Sequence, residues 1–268
     1  VAEAGEYLAQ LKKMGLNPKN HPFNDDEIIY VSSGEGTTSE GEFWEALTTS
    51  CVNRLPVLFM VEDNGYAISV PVATQTPGGS ISKTLAHFPG LKVFEVDGNC
   101  PIESYAILKD AENYLRQKKG PVLVHAHVTR PYSHSLSDDH VMYRSAAELA
   151  QEKIQDVINS YPKTLLEAGV ITQAEIDKLI DEVSKEVKAA MSKALETAWP
   201  DSKDSLRHLS SETIDMTSGK FETAPSFSGK NDVPMAGMIN RVMRNEIERD
   251  NLIRVFGEDV ADFGNVDK

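Results

Sequence analysis

The chain has 268 residues, and 27 basic against 41 acidic side chains give it a net charge of −14. This acidic balance argues against a surface for DNA or another polyanion, so we expect no nucleic-acid partner. Apolar residues make up 40% and charged residues 25%, which is ordinary for a globular protein with one or two cored domains. No apolar run approaches the ~20 residues that span a bilayer, and no signal peptide is visible, so no membrane partner is expected either.

Cysteine usage predicts a reducing compartment. Cys51 and Cys100 form neither a Cys-x-x-Cys pair nor the spacing of a zinc site. We therefore expect two reduced cysteines, no disulfide framework, and a cytoplasmic protein.

The first strong pattern after an amphipathic stretch at residues 1–16 is a strand, a helix and a second strand. Residues 28–31 and 56–61 are short apolar runs suited to buried parallel strands. Between them, Ser39-x-x-Glu42 matches a capping box that would open a helix. One strand–helix–strand unit is therefore predicted here.

A carboxylate and an amide follow these two strands. Glu35 stands between Gly34 and Gly36 after the first strand, and Asn64 follows the second. The carboxyl ends of parallel strands meet at one edge of a sheet, where ligands bind, and a helix N-terminus there suits a phosphate. Because Mg²⁺ prefers such oxygen ligands and can bridge a carboxylate to phosphate, we predict a Mg²⁺–diphosphate site with Glu35 and Asn64 as ligands. A lone Gly-Glu-Gly, however, more often marks only a turn with a solvated glutamate.

Further strands and helices then alternate. A loop at residues 71–90, either mobile or ordered, precedes a predicted strand at 91–98, a helix at 101–119 and a strand at 121–128. This alternation predicts an α/β fold with a doubly wound, mostly parallel sheet.

Two histidines lie on one face of the last predicted strand. His125 and His127 are two residues apart, so their side chains point the same way. Such a pair can bind a metal ion, and packed histidines of a core or an interface are the commoner reason for the pattern.

The loop that follows this strand carries Arg130 and His134. An arginine and a histidine just past the carboxyl edge can complement the charge of a diphosphate. A histidine there can also transfer protons or hold a carboxylate substrate. Taken alone, a loop of this kind is more often only an exposed polar connection. Arg144, further along, either orders the loop through an ion pair or is a plain surface arginine.

The C-terminal part changes character twice. Helical periodicity runs from residue 146 to 199, and its apolar positions predict packing in a core or against another subunit. Residues 200–232 are polar and rich in Gly and Pro, and they read as a linker. An amphipathic helix at 235–247 and a strand at 252–256 then suggest the beginning of a second α/β domain.

Taken together, Gly34-Glu35-Gly36 and Asn64-Gly65-Tyr66-Ala67-Ile68-Ser69 resemble the thiamine-diphosphate motif of 2-oxo acid dehydrogenases. The likeness is to the α part of the decarboxylating component, most similar to the branched-chain type. Asp63 stands where the family usually has an asparagine, but the ligand position, Asn64, matches. The resemblance implies the thiamine-diphosphate-binding fold.

The resemblance also implies a set of site residues. Mg²⁺ would be held by Glu35, Asn64 and the backbone carbonyl of Tyr66. The diphosphate would be bound around Gly36 and Thr37. The loop after the fourth strand would bring Arg130 to the diphosphate and His134 to both the diphosphate and the active centre, where His134 would be catalytic.

The activity implied is oxidative decarboxylation of a small 2-oxo acid, with branched-chain acids favoured over pyruvate and acyl transfer to a lipoyl-bearing acyltransferase. The implied domains are an α part at 1–199 with its N-terminal portion missing, the linker at 200–232, and the start of a fused β part at 233–268. The β part supplies the glutamate that activates thiamine, so we expect an oligomer when intact and no turnover from this polypeptide alone. The alternatives are a pyruvate or acetoin type of component and a catalytically inactive assembly module.

Overall fold

The computed structural model describes most of the chain, in two compact units, Val1–Leu195 and Glu196–Lys268. The described residues are 1–15, 26–207, 209, 213–215, 217–221, 234–250, 253 and 255. The predicted strand at 252–256 therefore lies mostly outside the described residues, as does much of the predicted linker.

The first unit is built on one parallel sheet. Its four strands are β1 (Ile29–Gly34), β2 (Val57–Asp63), β3 (Lys92–Asp97) and β4 (Val122–His127). They lie in the order β1-β2-β4-β3, and every neighbouring pair is parallel. All four carboxyl ends therefore meet at one edge, as the sequence predicted.

Helices connect the strands and follow the sheet. In the first unit they are α1 (Ala2–Lys13), α2 (Gly41–Asn53), α3 (Val72–Gln75), α4 (Ile81–Thr84), α5 (Pro101–Arg116), α6 (Ala146–Gln155), α7 (Val157–Glu167) and α8 (Gln173–Glu196). The second unit contains α9 (Met235–Arg249), which confirms the predicted amphipathic helix. The stretch at 71–90 is ordered into α3, α4 and a 3₁₀ turn at Pro77–Gly79.

Apolar side chains cover both faces of the central strands β2 and β4, whereas Tyr30 and Val31 of the edge strand β1 are exposed. Alternate residues of β2 point to opposite faces, as the pleat requires. Phe59 packs in a cluster with Leu47 of α2 and Ile81 of α4. On the other face, Met60 packs in a cluster with Leu115 of α5. The predicted doubly wound arrangement is therefore confirmed.

The predicted capping box does not form. A 3₁₀ helix, Glu35–Ser39, intervenes between β1 and α2, so Ser39 is its last residue. Glu40 is the N-cap of α2 and makes no side-chain cap hydrogen bond. The tighter turn is preferred because the Thr38 hydroxyl donates to the Glu35 carbonyl oxygen at 2.8 Å, and the Glu40 N–H donates to the Thr37 carbonyl oxygen at 3.0 Å.

The apolar stripe of α8 is exposed. Ile176 is its buried residue, whereas Ile180, Val183, Val187 and Met191 all face solvent within the described part of the chain. The predicted packing of this stripe in the chain's own core is therefore wrong, and packing against another subunit stays a prediction. No helix in the described residues is both long and apolar enough to cross a membrane.

Candidate functional site

The ends of β1 and β2 lie side by side at the carboxyl edge. The register pairs Gly34 with Glu62, so Glu35 and Asn64 each follow the end of one of two adjacent strands. This is the edge where parallel sheets bind ligands. The strand pairing thus places the two predicted metal ligands on neighbouring connections.

Glu35 carries a completely buried carboxylate. Its Oε2 accepts a hydrogen bond from the Gln75 side-chain amide at 2.8 Å, and its Oε1 accepts one from the Thr76 hydroxyl. A buried carboxylate is costly unless hydrogen bonds replace the lost water. These two donors, which come from α3 and the residue after it, fix the orientation of the carboxylate.

Asn64 belongs to a tight turn after β2. Its side-chain oxygen accepts the Tyr66 N–H at 3.3 Å, and Gly65 supplies the positive φ of 82° that the turn requires. No described residue donates a hydrogen bond to the Tyr66 carbonyl oxygen. The third predicted Mg²⁺ ligand therefore keeps both of its lone pairs for another partner.

Gly36 lies in close contact with the segment that follows Asn64. A Cβ atom at Gly36 would stand 2.9 Å from the Ala67 Cβ, which is closer than side chains tolerate. Thr37 beside it is exposed. Glycine is required at residue 36 because the backbone of the 3₁₀ helix approaches the Asn64 connection so closely.

Arg130 reaches from the end of β4 to the same connection. Its Nη1 donates to the carbonyl oxygens of Ala67 at 3.2 Å and Ile68 at 2.9 Å, and its Nη2 donates to the Tyr143 hydroxyl at 2.7 Å. Its guanidinium lies 5.6 Å from the centre of the Tyr66 ring. The Nε atom is buried and has no hydrogen-bond partner among the described residues.

His134 is exposed, and in the described residues no hydrogen bond joins it to Glu35 or Asn64. Its backbone N–H donates to Asp138 Oδ2 at 2.8 Å, and the Tyr143 hydroxyl donates to the same oxygen at 2.7 Å. The bond from Tyr143, followed by that from the His134 N–H, holds the pKa of Asp138 below its ordinary value. The structure thus explains how the loop that carries His134 is held, and the role of the His134 ring stays a prediction.

Arg144 orders the loop, which confirms one of its two predicted roles. Its side chain is fully buried and pairs with Glu148 at 2.9 Å and with Glu152. Burial opposes the charge of Arg144, and its hydrogen bonds to Glu152 and Glu148 outweigh that effect and raise the pKa.

A second polar cluster at the same edge was not predicted as a unit. His125 Nε2 lies 2.9 Å from Asp63 Oδ2, and His125 Nδ1 lies 2.8 Å from Ser82 Oγ. Ser82 donates to Glu95 Oε2 at 2.9 Å, and Glu95 Oε1 lies 2.7 Å from His127 Nε2. His-x-His was the sequence signal for this cluster. Asp63 and Glu95 were missed because only the pairing of β2, β3 and β4 brings them to the histidines, and Ser82 was missed because it reaches the cluster from α4.

The carboxyl groups of this cluster favour their charged forms. Burial acts to raise the pKa of Asp63, but hydrogen bonds from His125 and the Gly65 N–H hold it below its ordinary value. Hydrogen bonds from His127 and then Ser82 lower the pKa of Glu95.

A parallel α/β sheet with polar groups gathered at its carboxyl edge is a ligand-binding architecture. The family model described as "Dehydrogenase E1 component" matches residues 10–203. The chain belongs to this family.

Curated relatives include α subunits of two kinds. The "2-oxoisovalerate dehydrogenase subunit alpha" of Bacillus subtilis is 34% identical over 169 residues, which cover 63% of this chain and 51% of that protein. The "3-methyl-2-oxobutanoate dehydrogenase subunit alpha" of Mycobacterium tuberculosis is 32% identical, over 64% of this chain and 46% of that protein. The "Pyruvate dehydrogenase E1 component subunit alpha" of Mycoplasma genitalium is 29% identical, over 67% and 50%. The chain thus spans about half the length of these relatives.

Proposed function

We propose that this chain supplies the Mg²⁺–diphosphate half of the thiamine-diphosphate site in the decarboxylating component of a 2-oxo acid dehydrogenase. The observation that carries the proposal is the buried, oriented carboxylate of Glu35 at the end of β1, on the connection next to that of Asn64. Membership of the dehydrogenase E1 component family supports it.

The residues present fit a magnesium ion. Glu35, Asn64 and the Tyr66 carbonyl offer a carboxylate, an amide and a peptide oxygen, which are the hard oxygen ligands that Mg²⁺ selects. A carboxylate oxygen has about two lone-pair positions. Glu35 can therefore keep its hydrogen bonds from Gln75 and Thr76 while it binds the ion.

The surroundings also fit a diphosphate. The backbone N–H groups of Gly36 and Thr37, in the 3₁₀ helix that follows β1, would donate to phosphate oxygens. The buried Nε of Arg130, which lacks a partner among the described residues, would be satisfied by an anion. His134 would reach the cofactor and hold or transfer a proton.

When bound, the cofactor would supply the chemistry that breaks the bond between the carboxylate and the keto carbon of the substrate. The protein would anchor and orient the cofactor and would exclude water from it. We propose a branched-chain 2-oxo acid as the substrate, since two of the relatives above are named for such acids, with pyruvate as the alternative. The acyl group would pass to a lipoyl-bearing acyltransferase, and a β part, fused after residue 232 or separate, would complete an oligomeric enzyme.

Calorimetric titration with thiamine diphosphate tests the proposal. We expect binding that requires Mg²⁺ and falls at least tenfold in Asn64→Leu and in Glu35→Gln. Glu35→Gln is chosen because glutamine keeps the shape of the buried side chain, whereas alanine would leave a cavity. Glu40→Gln, an exposed acidic residue at the start of α2, should bind as the wild type does.

Two results would count against the site. If the folded wild type does not bind the cofactor at any Mg²⁺ concentration, a non-catalytic assembly module is the better description of this chain. If it binds with equal affinity in Asn64→Leu and Glu35→Gln, these residues are not the ligands.

A further inference from the structure

Three side chains of β2 and β4 turn their metal-binding atoms toward one point. Asp63 and His127 are register partners on adjacent strands. One ligand atom each from Asp63, His125 and His127 can be chosen so that all lie within 4.8 Å of one another. Asp63 Oδ2 is 2.9 Å from His125 Nε2 and 3.8 Å from His127 Nδ1. Ligand atoms of a tetrahedral zinc site lie about 3.4 Å apart when the bonds are about 2.0–2.1 Å, so these two distances bracket the required separation.

Each histidine is held by its other ring nitrogen. His127 Nε2 lies 2.7 Å from Glu95 Oε1, and His125 Nδ1 lies 2.8 Å from Ser82 Oγ. Metal-binding histidines nearly always donate their second ring N–H to a carboxylate, a backbone carbonyl or a water, which fixes the tautomer and the ring orientation. Glu95 is such a carboxylate, and the Ser82 hydroxyl oxygen can accept in the same way. The cluster therefore contains both the ligands and their supports.

The hydrogen bonds of the outer ring nitrogens turn the inner nitrogen of each histidine toward Asp63. The single hydrogen of the Ser82 hydroxyl goes to Glu95, so Ser82 Oγ accepts from His125 Nδ1–H. Glu95 in turn accepts from His127 Nε2–H. His125 Nε2 and His127 Nδ1 are then the atoms that face the Asp63 carboxylate, and a cation between them, a proton or a metal ion, is needed to make this arrangement favourable.

Burial and access suit a bound ion. His125 and Asp63 are buried, and the second oxygen of Asp63 is fixed by the Gly65 N–H at 2.7 Å. The His127 side chain is 47% exposed. An ion could therefore enter from this side and keep one position for water.

We propose that Asp63, His125 and His127 bind one divalent transition-metal ion, best matched by zinc, at the carboxyl edge of the sheet. Two imidazoles and one carboxylate are the ligands of such ions, whereas Mg²⁺ prefers oxygen alone. The ligands of this site therefore differ from those proposed for the Mg²⁺ of the cofactor, and Asp63 directly precedes Asn64. The ion of this site ties the end of β2 to that of β4 and, through Glu95, to β3.

The test uses the full chain, stripped of metal and without thiamine diphosphate, so that its outcome is independent of the proposed function. Calorimetry with Zn²⁺ in excess Mg²⁺ should give one ion per chain and a higher melting temperature, because an ion that binds only the folded state stabilises it. Co²⁺ should give the visible absorption bands of a four- or five-coordinate site.

Variants separate this site from adventitious binding. His127→Ala should weaken Zn²⁺ binding by about 100-fold or more, because loss of a residue that only supports a ligand already costs about 10–100-fold. Glu95→Gln should weaken it by about tenfold. His87→Ala, in an exposed turn after α4, should leave it unchanged.

The proposal is overturned if the wild type binds no stoichiometric Zn²⁺, or if His127→Ala binds it as tightly as the wild type does. In the first case Asp63 and His125 form only a buried hydrogen-bonded pair. Glu95 is 46% exposed, so Glu95→Gln should fold. If His127→Ala does not fold, the Zn²⁺ affinity of Glu95→Gln is compared with that of the wild type instead.

Discussion

The guanidinium of Arg144 donates a hydrogen bond to the backbone carbonyl oxygen of Arg130, at 3.0 Å. This contact joins the two ends of the connection between β4 and α6. Arg144 is fixed in turn by Glu148 and Glu152 of α6, and the Arg130 N–H donates to Glu152 Oε2 at 3.0 Å. The loop that carries His134 is therefore closed at its base by a buried ionic network.

Replacing Arg144 with Met should destabilise the protein by about 3 kcal/mol in urea unfolding. The methionine fills the volume but leaves the carboxylates of Glu148 and Glu152 without their cation, which is the costly way to break a buried ion pair. Glu148 is partly exposed, so the low end of the usual range is expected. Lys109→Met, which breaks an exposed pair with Glu112, should leave the unfolding midpoint nearly unchanged. Equal effects of the two changes would mean that the Arg144 network stabilises the protein no more than an exposed ion pair does.

Gly36→Ala should lower both stability and cofactor affinity. The added methyl group would meet Ala67 at 2.9 Å and force the two connections apart, at a cost of about 1–3 kcal/mol. Gly41→Ala is the matched control, because nothing lies within 4 Å of its Cβ position. That variant should be neutral or more stable by up to about 1 kcal/mol. Chemical denaturation and calorimetry measure the two effects, and a neutral Gly36→Ala would contradict the close approach.

Thr76→Val should destabilise the protein by about 1–3 kcal/mol, because it removes a donor to the buried Glu35 carboxylate while keeping the side-chain volume. Thr76→Ser keeps the hydroxyl and loses one methyl group, so about 1 kcal/mol or less is expected. Thermal and urea unfolding of the two variants would decide between a polar and a packing role. A larger loss in Thr76→Ser than in Thr76→Val would show that packing dominates.

Acidification should loosen the loop that contains His134. The pKa of Asp138 is lower in the folded protein than in the unfolded chain, since its carboxylate accepts bonds from Tyr143 and the His134 N–H. The resulting stabilisation is fully present above the unfolded pKa and is lost as the pH falls through the folded pKa. Hydrogen exchange of the His134 amide, corrected for its intrinsic pH dependence, should show protection at neutral pH that disappears in acid. Asp138→Asn should lack this pH dependence.

The elements of the sheet could be predicted from local pattern, whereas the environment of its polar groups could not. The apolar runs at 28–31 and 56–61 predicted β1 and β2. The alternation of strands with helices predicted that the strands of the sheet run parallel. The capping box failed because Thr38 and Glu40 stabilise a 3₁₀ turn before α2, and short-range hydrogen bonds of this kind compete closely with a cap.

The partners of the site residues depend on contacts far apart in the chain. Gln75 and Thr76 reach Glu35 from a stretch without clear periodicity. Asp63 meets His125 only because β4 pairs with β2. Periodicity predicted that α8 is amphipathic, but periodicity alone does not show what covers an apolar face. In the described residues, the apolar face of α8 is open to solvent.

The strand order β1-β2-β4-β3 has a consequence for how the nascent chain acquires its shape. β1 and β2 can pair as soon as both have left the ribosome, whereas β3 must wait for β4, which is made last and inserts between β2 and β3. Such long-range pairing makes folding slow and leaves β2 and β3 open to wrong partners until residue 127 is available. β4 therefore joins β3 to the β1–β2 pair, and the carboxyl edge is complete only after that event.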